Sequence, residues 1–507
     1  METLIGLDVG TSSVKAVLVD PKGCVLASQE SRHPLSNPRP GWMEQNPESW
    51  WEAARNALRG LASIVRENRH HVLGIGLSGQ MNGAVLLDHQ RSPVRPCIIW
   101  ADARTGKQCD EIHSKIPSTD LVAITGKLAV TGYTAPKLLW VREHERELFK
   151  LVRHVLLPKD YIRLRLTGEL GTDASDASNT LLFDIKRCCW SDRILQALEL
   201  ETNWFPPVTT STAQVGSLTS QAAGLLGLAK GTPVVAGAGD SIAEAVGSGV
   251  VSVGPVLSVI GSAGNISASS DEPIIDAQGR IHSGCHAIPN RWILTGVQQA
   301  AGLSIQWLLE NFRLGDDLQQ NSDQALYETW MERAASIAPG AEGLIFLPYL
   351  TGERTPHLDP LARGVFFGIG THHKRAHLAR AVFEGLAFAQ RDSLELLAQL
   401  QLPTAYLVVA GGGGRSQLWR QILADVSGLQ VMTSGTGHGA AFGAALLAAV
   451  GVGVFENLEE ACRISVRLNT SAFPGEAAHG TYERVYSCFR RLYAQLRPVF
   501  AEAAKIA

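Results

Sequence analysis

An α/β fold in two domains is what this sequence predicts, and three observations carry that prediction. Short β-rich apolar runs alternate with helical apolar stripes in both halves of the chain. Two of those runs open on glycine-rich turns about half the chain apart, near Gly10 and Gly261. With 45% hydrophobic and 18% charged residues over 507 positions, the chain can bury a sizeable core.

The elements follow in order. An apolar run over 4–6, the turn Asp8-Val9-Gly10-Thr11-Ser12 and a second run over 14–19 read as a hairpin. A helix is expected over 47–64, with Trp50 and Trp51 near its start. Next come a strand over 72–77, a turn over 78–83 and a further apolar run over 84–87, the same design as the first hairpin. A helix is expected over 135–149. A buried-looking strand at Val234-Val235 then ends in Ala236-Gly237-Ala238-Gly239 and the carboxylate Asp240. Glycine and serine punctuate 246–254, and the division falls there, into domains 1–249 and 250–507. The second half opens on a hairpin, 256–260 and 265–267 around Gly261-Ser262-Ala263-Gly264. It continues with helices over 377–397 and 416–426, the latter preceded by a strand and four glycines, and closes on an amphipathic helix over 482–507.

Composition excludes several classes. Net charge is −3, and Lys and Arg are scattered, so neither nucleic acid nor a membrane surface is expected as a partner. The eight cysteines form no CxxC pair and no zinc-type spacing, and read as reduced thiols of a cytoplasmic protein. The start of the chain has no basic segment or cleavage site of a secretory signal. The uncharged stretch 245–270 has the length of a membrane span, but five glycines and Pro255 interrupt it, so strand, turn, strand is expected instead. Glycine, at 50 residues, exceeds the average near 7%, and that excess calls for turns or close backbone approaches.

Four segments could carry chemistry. The turn at Gly10, Thr11 and Ser12 offers backbone N–H groups and hydroxyls to phosphate oxygens, and Asp8 at the strand end can hold Mg²⁺ through water; the same residues also make an ordinary hairpin. Gly261 and Ser262 present a second turn of that chemistry, and together the two could grip a triphosphate. Gly411, Gly412, Gly413 and Gly414, ahead of a helix, would let a flat base or ribose lie against the backbone, or serve only for packing. Asp240, among small neighbours, can take a proton from a hydroxyl during phosphoryl transfer, or N-cap the helix that follows it. Gly74-Ile75-Gly76-Leu77-Ser78-Gly79 fits GxGxxG, but no helix follows, so a dinucleotide site is not expected; no GxxxxGK[ST] occurs.

These residues resemble the carbohydrate kinases of the FGGY family and, within it, the xylulokinase group, from residue 4 to about 447. Ile5 to Ser12 is similar to the family's first phosphate loop. Gly41-Trp42-Met43-Glu44-Gln45-Asn46-Pro47 with Trp50 resembles its entry segment, and Gly79-Gln80-Met81 with Trp100 and Asp102 its sugar pocket. Thr134-Ala135-Pro136-Lys137-Leu138-Leu139-Trp140 looks like one family signature. Gly364-Val365-Phe366-Phe367-Gly368-Ile369 and the helix after it look like the other, and 347–356 is similar to the segment that precedes it.

The resemblance implies an actin-like, ribonuclease H-like fold with ATP in a cleft between two domains. It implies ATP and Mg²⁺, and transfer of the γ-phosphoryl to the terminal hydroxyl of a ketopentose, D-xylulose to D-xylulose 5-phosphate first. D-ribulose, another ketose, a polyol, or a sugar-binding protein with decayed activity stand as alternatives. Asp240 would be the base, and Asp8 and Asp240 the metal residues. Gln80, Met81, Asn82, Trp100, Asp102, Asp240 and Ser241 would face the sugar. Gly10, Thr11, Ser12, Lys15, Gly261, Ser262 and Gly411, Gly412, Gly413 and Gly414 would face the nucleotide. A homodimer is the assembly considered. Three positions depart from the xylulokinase pattern: Asn82 where His is usual, Ser241 where Asn is common, and Gly-Ser-Ala-Gly for Gly-Thr-Ser-Gly at 261–264. Two of them touch the sugar pocket, so sugar identity is the weak link.

Overall fold

A computed structural model describes residues 1–313, 323–435 and 437–506. The chain forms two compact units. The first is built from three stretches, Met1–Ser252, Ser269–Ile293 and His438–Arg467; the second from Val253–Ala268, Leu294–Gly437 and Leu468–Ala507.

The first unit holds a mixed sheet in the order Gln214–Ser217, Pro233–Val235, His71–Gly79, Glu2–Val9, Ser13–Val19, Val25–Arg32, with Ala238–Gly239 also paired to His71–Gly79. Glu2–Val9 runs antiparallel to Ser13–Val19, as the hairpin pattern predicts, and parallel to His71–Gly79. The run over 84–87 departs from expectation. Both edges of His71–Gly79 are already taken, so Val85–Leu87 leaves the sheet and pairs antiparallel with His154–Leu156.

The helix Pro47–Glu67 covers one face. Asn46 caps it by accepting from the Glu48 amide, Pro47 stands where no amide partner is needed, and Trp50, Trp51, Ala54, Leu58 and Leu61 are buried. The helix expected over 135–149 is two, Thr134–His144 and Arg146–Phe149; Glu145 between them leaves helical geometry and pairs its carboxylate with Arg95.

The helix Gly439–Gly451 lies against the same sheet with almost no side chain between them. A Cβ on Gly6 would sit 1.9 Å from the Ala441 carbonyl oxygen, and one on Gly76 1.8 Å from that of Ala444. The helix Asp240–Gly247 meets it equally closely, since a Cβ on Gly443 would lie 1.8 Å from the Ala243 oxygen. Part of the glycine excess therefore serves backbone-to-backbone packing, including Gly76 of the GxG, while Gly74 makes room for the Val452 side chain.

In the second unit Gly254–Ile260 pairs antiparallel with Gly264–Ser270 and parallel with Thr404–Gly411, repeating the pattern of the first hairpin. Val431–Ser434 and Leu468–Ala472 extend the sheet. Helices Arg375–Gln399, Gln417–Ser427 and Glu476–Ala503 follow the expected stripes, the last beginning six residues earlier than its pattern suggested; Ala507 lies outside the described residues. Among the described residues no helix is long and apolar enough to cross a membrane.

Candidate active site

Strand register builds the site of the first unit. Across three neighbouring parallel strands, Asp8 pairs with Ser78 and Ser78 with Ala238; one residue on, Val9 pairs with Gly79 and Gly79 with Gly239. The chain then turns at Gly10, at Gln80 and at Asp240, so three functional segments leave the sheet side by side at its carboxyl ends, where open α/β sheets bind ligands.

Asp240 is the first residue of its helix and Gly239 is the cap, which corrects the N-cap reading: the carboxylate Oδ1 accepts from the adjacent Ser241 amide at 2.7 Å. Burial first, then the Asp8 carboxylate, pushes the Asp240 carboxyl up to about 7. Asp8 is raised by burial as well, against the Ser78 hydroxyl that donates to its Oδ1 at 2.9 Å and the charge of Lys15, its cross-strand partner. One turn after Asp240, Glu244 adds a third carboxyl, pushed up to about 7 by burial and by Asp8. Sequence reasoning missed it, although its i, i+4 spacing from Asp240 places the two on one helix face.

A buried charged layer aims Asp240. Lys159 pairs with Asp160 at 2.7 Å, Asp173 at 2.9 Å and Asp176 at 3.4 Å, all fully buried. Arg163 donates to the Ala236 oxygen at 2.9 Å, and the Ser175 hydroxyl accepts from the Gly239 amide at 3.3 Å, fixing the strand that ends at Asp240 from both sides. A Cβ on Gly239 would sit 2.3 Å from the Met81 sulfur, so only glycine admits Met81 there, in reach of the Ser241 hydroxyl at 3.6 Å.

The first turn is held from within. The Gln80 amide donates to Gln45 Oε1 at 2.8 Å and to the Gly10 oxygen at 3.4 Å; Gln45 in turn donates to the Thr11 oxygen at 2.6 Å and accepts from Trp50. Gln45, quoted only as part of the entry segment, is thus the hub of the loop. The indole of Trp100 donates to Thr11 Oγ1 at 3.0 Å, while Ser12 stands exposed at the tip. Asp102 stands apart from the sugar-pocket reading. Its carboxylate is fully buried, accepts from the Met43 amide and is forked by Arg104, which stacks on Trp42, so it braces a loop.

Asn82 sits in the left-handed region at φ 67°, which Asn tolerates better than most residues. Lys137 pins it there, donating to the Asn82 oxygen at 2.7 Å and to the Gly132 oxygen at 2.7 Å, with Thr134 adding 3.2 Å. This is what the Thr-Ala-Pro-Lys signature does locally. Burial pulls the Lys137 amine down to about 7.

The second unit carries a cavity of about 500 Å³, lined by Ile260, Gly261, Leu309, Tyr327, Gly413 and Trp419 among others. Gly261 and Gly413 were expected there; Tyr327 and Trp419 were not, because nothing local marks an aromatic as cavity-lining. The hairpin turn is stapled to the helix Gly302–Asn311, whose Ala301, Gly302 and Leu303 amides donate to the Ser262 and Gly261 oxygens at 2.9–3.2 Å. Gly411 bends the strand end at φ 72°, Gly412 to Arg415 form a 3-10 turn, and Ser416 caps the next helix by accepting from Trp419. The aliphatic floor with an aromatic side and a helix start beyond suits a nucleoside.

Among the described residues no group of three or more His, Cys, Asp or Glu is arranged to hold a metal. Asp8 and Asp240, at the ends of the two strands that flank His71–Gly79, are hard-oxygen donors of the kind that bind Mg²⁺ together with waters and substrate phosphates.

Residues 3–247 match the model of the FGGY family of carbohydrate kinases, N-terminal domain, and residues 257–452 its C-terminal domain. The chain is 39% identical to the xylulose kinase of Escherichia coli strain K12, over 98% of this chain and 100% of that protein. It is 37% identical to the xylulose kinase of Bacillus subtilis strain 168, over 98% of each. A crystal structure of the xylulose kinase from Rhodospirillum rubrum superposes with a TM-score of 0.90 at 32% identity, over 98% of this chain and 100% of that one.

Proposed function

Because the chain belongs to the FGGY family of carbohydrate kinases, we propose that it transfers the γ-phosphoryl group of ATP to the terminal hydroxyl of D-xylulose. The register that sets Asp8, the Gln80 turn and Asp240 side by side at the strand ends carries this reading. The near-full-length relatives named xylulose kinase support the choice of sugar.

On this proposal the first unit holds the sugar and the base, and the second the nucleotide. Asp240 Oδ1 is engaged by the Ser241 amide, which leaves Oδ2 to accept the proton of the attacking hydroxyl. A carboxyl near 7 suits a general base, being ionised enough to accept at neutral pH and basic enough to pull. Met81, Asn82 and Ser241 orient the sugar beside it. Asn82 Oδ1, buried without a protein partner, is an acceptor for a sugar hydroxyl. Magnesium, when bound, neutralises phosphate charge, and Asp8 would hold it through water, with Asp240 facing the same cation across the phosphates and its Oδ2 left to the proton. The test is a coupled ADP-release assay across ketopentoses, ketohexoses and polyols. The expected result is the highest kcat/KM for D-xylulose; a better D-ribulose or polyol overturns the sugar, and no sugar-dependent release overturns the catalysis.

A further inference from the structure

Behind the helix that carries Asp176, two thiols face each other. Cys188 lies in the turn between Phe183–Asp184 and Cys189–Trp190, half-buried and at φ 50°; Cys285 ends the strand His282–Cys285 and is buried. Their sulfurs are 3.8 Å apart, and both approach the Ile185 oxygen, at 3.7 and 3.8 Å. Closing this pair to a bonded distance of about 2.05 Å takes a shift under 2 Å. Cys188 and Cys285 both line a cavity of about 300 Å³, shared with Ala174, Val208, Ser211 and His286. A small oxidant therefore has room beside them.

We propose that Cys188 and Cys285 are a peroxide-responsive dithiol whose closure to a disulfide slows phosphoryl transfer. The Cys188 thiolate attacks one peroxide oxygen: an S–O bond forms, the O–O bond breaks, and the departing hydroxide is protonated to water. The Cys285 thiol then loses its proton and attacks the sulfenyl sulfur. The S–S bond forms, the S–O bond breaks, and a second water leaves, so two thiols lose two electrons and the peroxide gains them. The asymmetry of the pair suits these roles. The sulfur–sulfur contact with Cys285 pulls the Cys188 thiol down to about 7, whereas burial pushes Cys97 and Cys462 up to about 12.

The link to the site is short. The Cys285 amide donates to the Ser178 hydroxyl at 3.0 Å, and Ser178 is the C-cap of Ala174–Ala177. From that helix the Ser175 hydroxyl accepts from Gly239, the residue before Asp240. Drawing Cys285 toward Cys188 pulls on the element that sets the catalytic strand end.

The test exposes the reduced protein to hydrogen peroxide, alkylates the remaining thiols, maps peptides without reduction, and measures kcat before and after dithiothreitol. The expected result is a Cys188–Cys285 linked peptide with two thiols fewer per chain and kcat lowered about 2- to 30-fold, the range of coupling through a packed element. Dithiothreitol should restore both, and Cys188→Ser, with unchanged basal kcat, should lose both responses. Oxidation confined to Cys24, Cys189 or Cys488 overturns the pairing; a linked peptide with unchanged kcat overturns the control. Only the kcat arm rests on the sugar-kinase reading, so peptide mapping tests the pair even where that reading fails.

Discussion

Replacing Asp240 by Asn separates the proton-accepting role of this carboxyl from its effect on the fold. The side chain keeps its shape and its oxygen toward the Ser241 amide, but it no longer accepts a proton, and kcat is expected to fall about 10²- to 10⁴-fold. Stability should move the other way. The folded carboxyl titrates near 7, above the roughly 3.9 of an unfolded chain, so the native state holds this proton more tightly. That stabilisation is complete below about pH 4 and lost as pH rises through 7, which makes the ionised form destabilising by about 2–4 kcal/mol at pH 8. Asn removes that charge. Without nucleotide or metal, the variant should melt roughly 2–6 °C higher than the parent at pH 8, with the gap narrowing steadily towards pH 5. Parallel scans at the two pH values, with turnover of both proteins, check this. A gap equal at both pH values, or turnover close to the parent, would refute the charge argument or the base assignment respectively.

Four further outcomes follow from the geometry. Gly443→Ala, whose Cβ would meet the Ala243 oxygen at 1.8 Å, should cost about 3 kcal/mol or more, read as a lowered urea midpoint. Gly412→Ala meets nothing within 4 Å, whereas Gly413→Val drives into Ile260 and Trp419; the second alone should raise the KM for ATP, with the KM for sugar unchanged. Lys137→Met strands the Gly132 carbonyl, at about 1–3 kcal/mol, leaves the Asn82 carbonyl only the Thr134 hydroxyl, and should raise the sugar KM more than the ATP KM in steady-state kinetics. Asn82→His should raise kcat/KM for D-xylulose if the rest of the pocket is of the xylulokinase kind, and an unchanged or lower value counts against that.

The two glycine-rich hairpins were legible because each spells strand, turn and strand within about twenty residues. Asp240 was legible because small residues lead up to it. What could not be read depends on partners distant in sequence. Gln45 becomes a hub only once Gln80 and Thr11 meet it, and the Asp102 carboxylate looks free until Arg104 and the Met43 amide close on it. The run over 84–87 imitates a hairpin arm, and only the occupied edges of His71–Gly79 turn it away. Gly74 and Gly76 spell a nucleotide motif, but Gly76 serves a helix more than 360 residues downstream and Gly74 the Val452 side chain at its end.

That helix also sets a schedule for synthesis. The strands Glu2–Val9 and His71–Gly79 leave the ribosome early, yet the helix that covers their glycine face, Gly439–Gly451, is among the last segments made. At about 5–20 residues per second, the nascent sheet waits on the order of twenty to seventy seconds with that face uncovered. A chain stalled before residue 439 would therefore offer chaperones, or a second nascent chain, a sheet face left bare of side chains at Gly6 and Gly76.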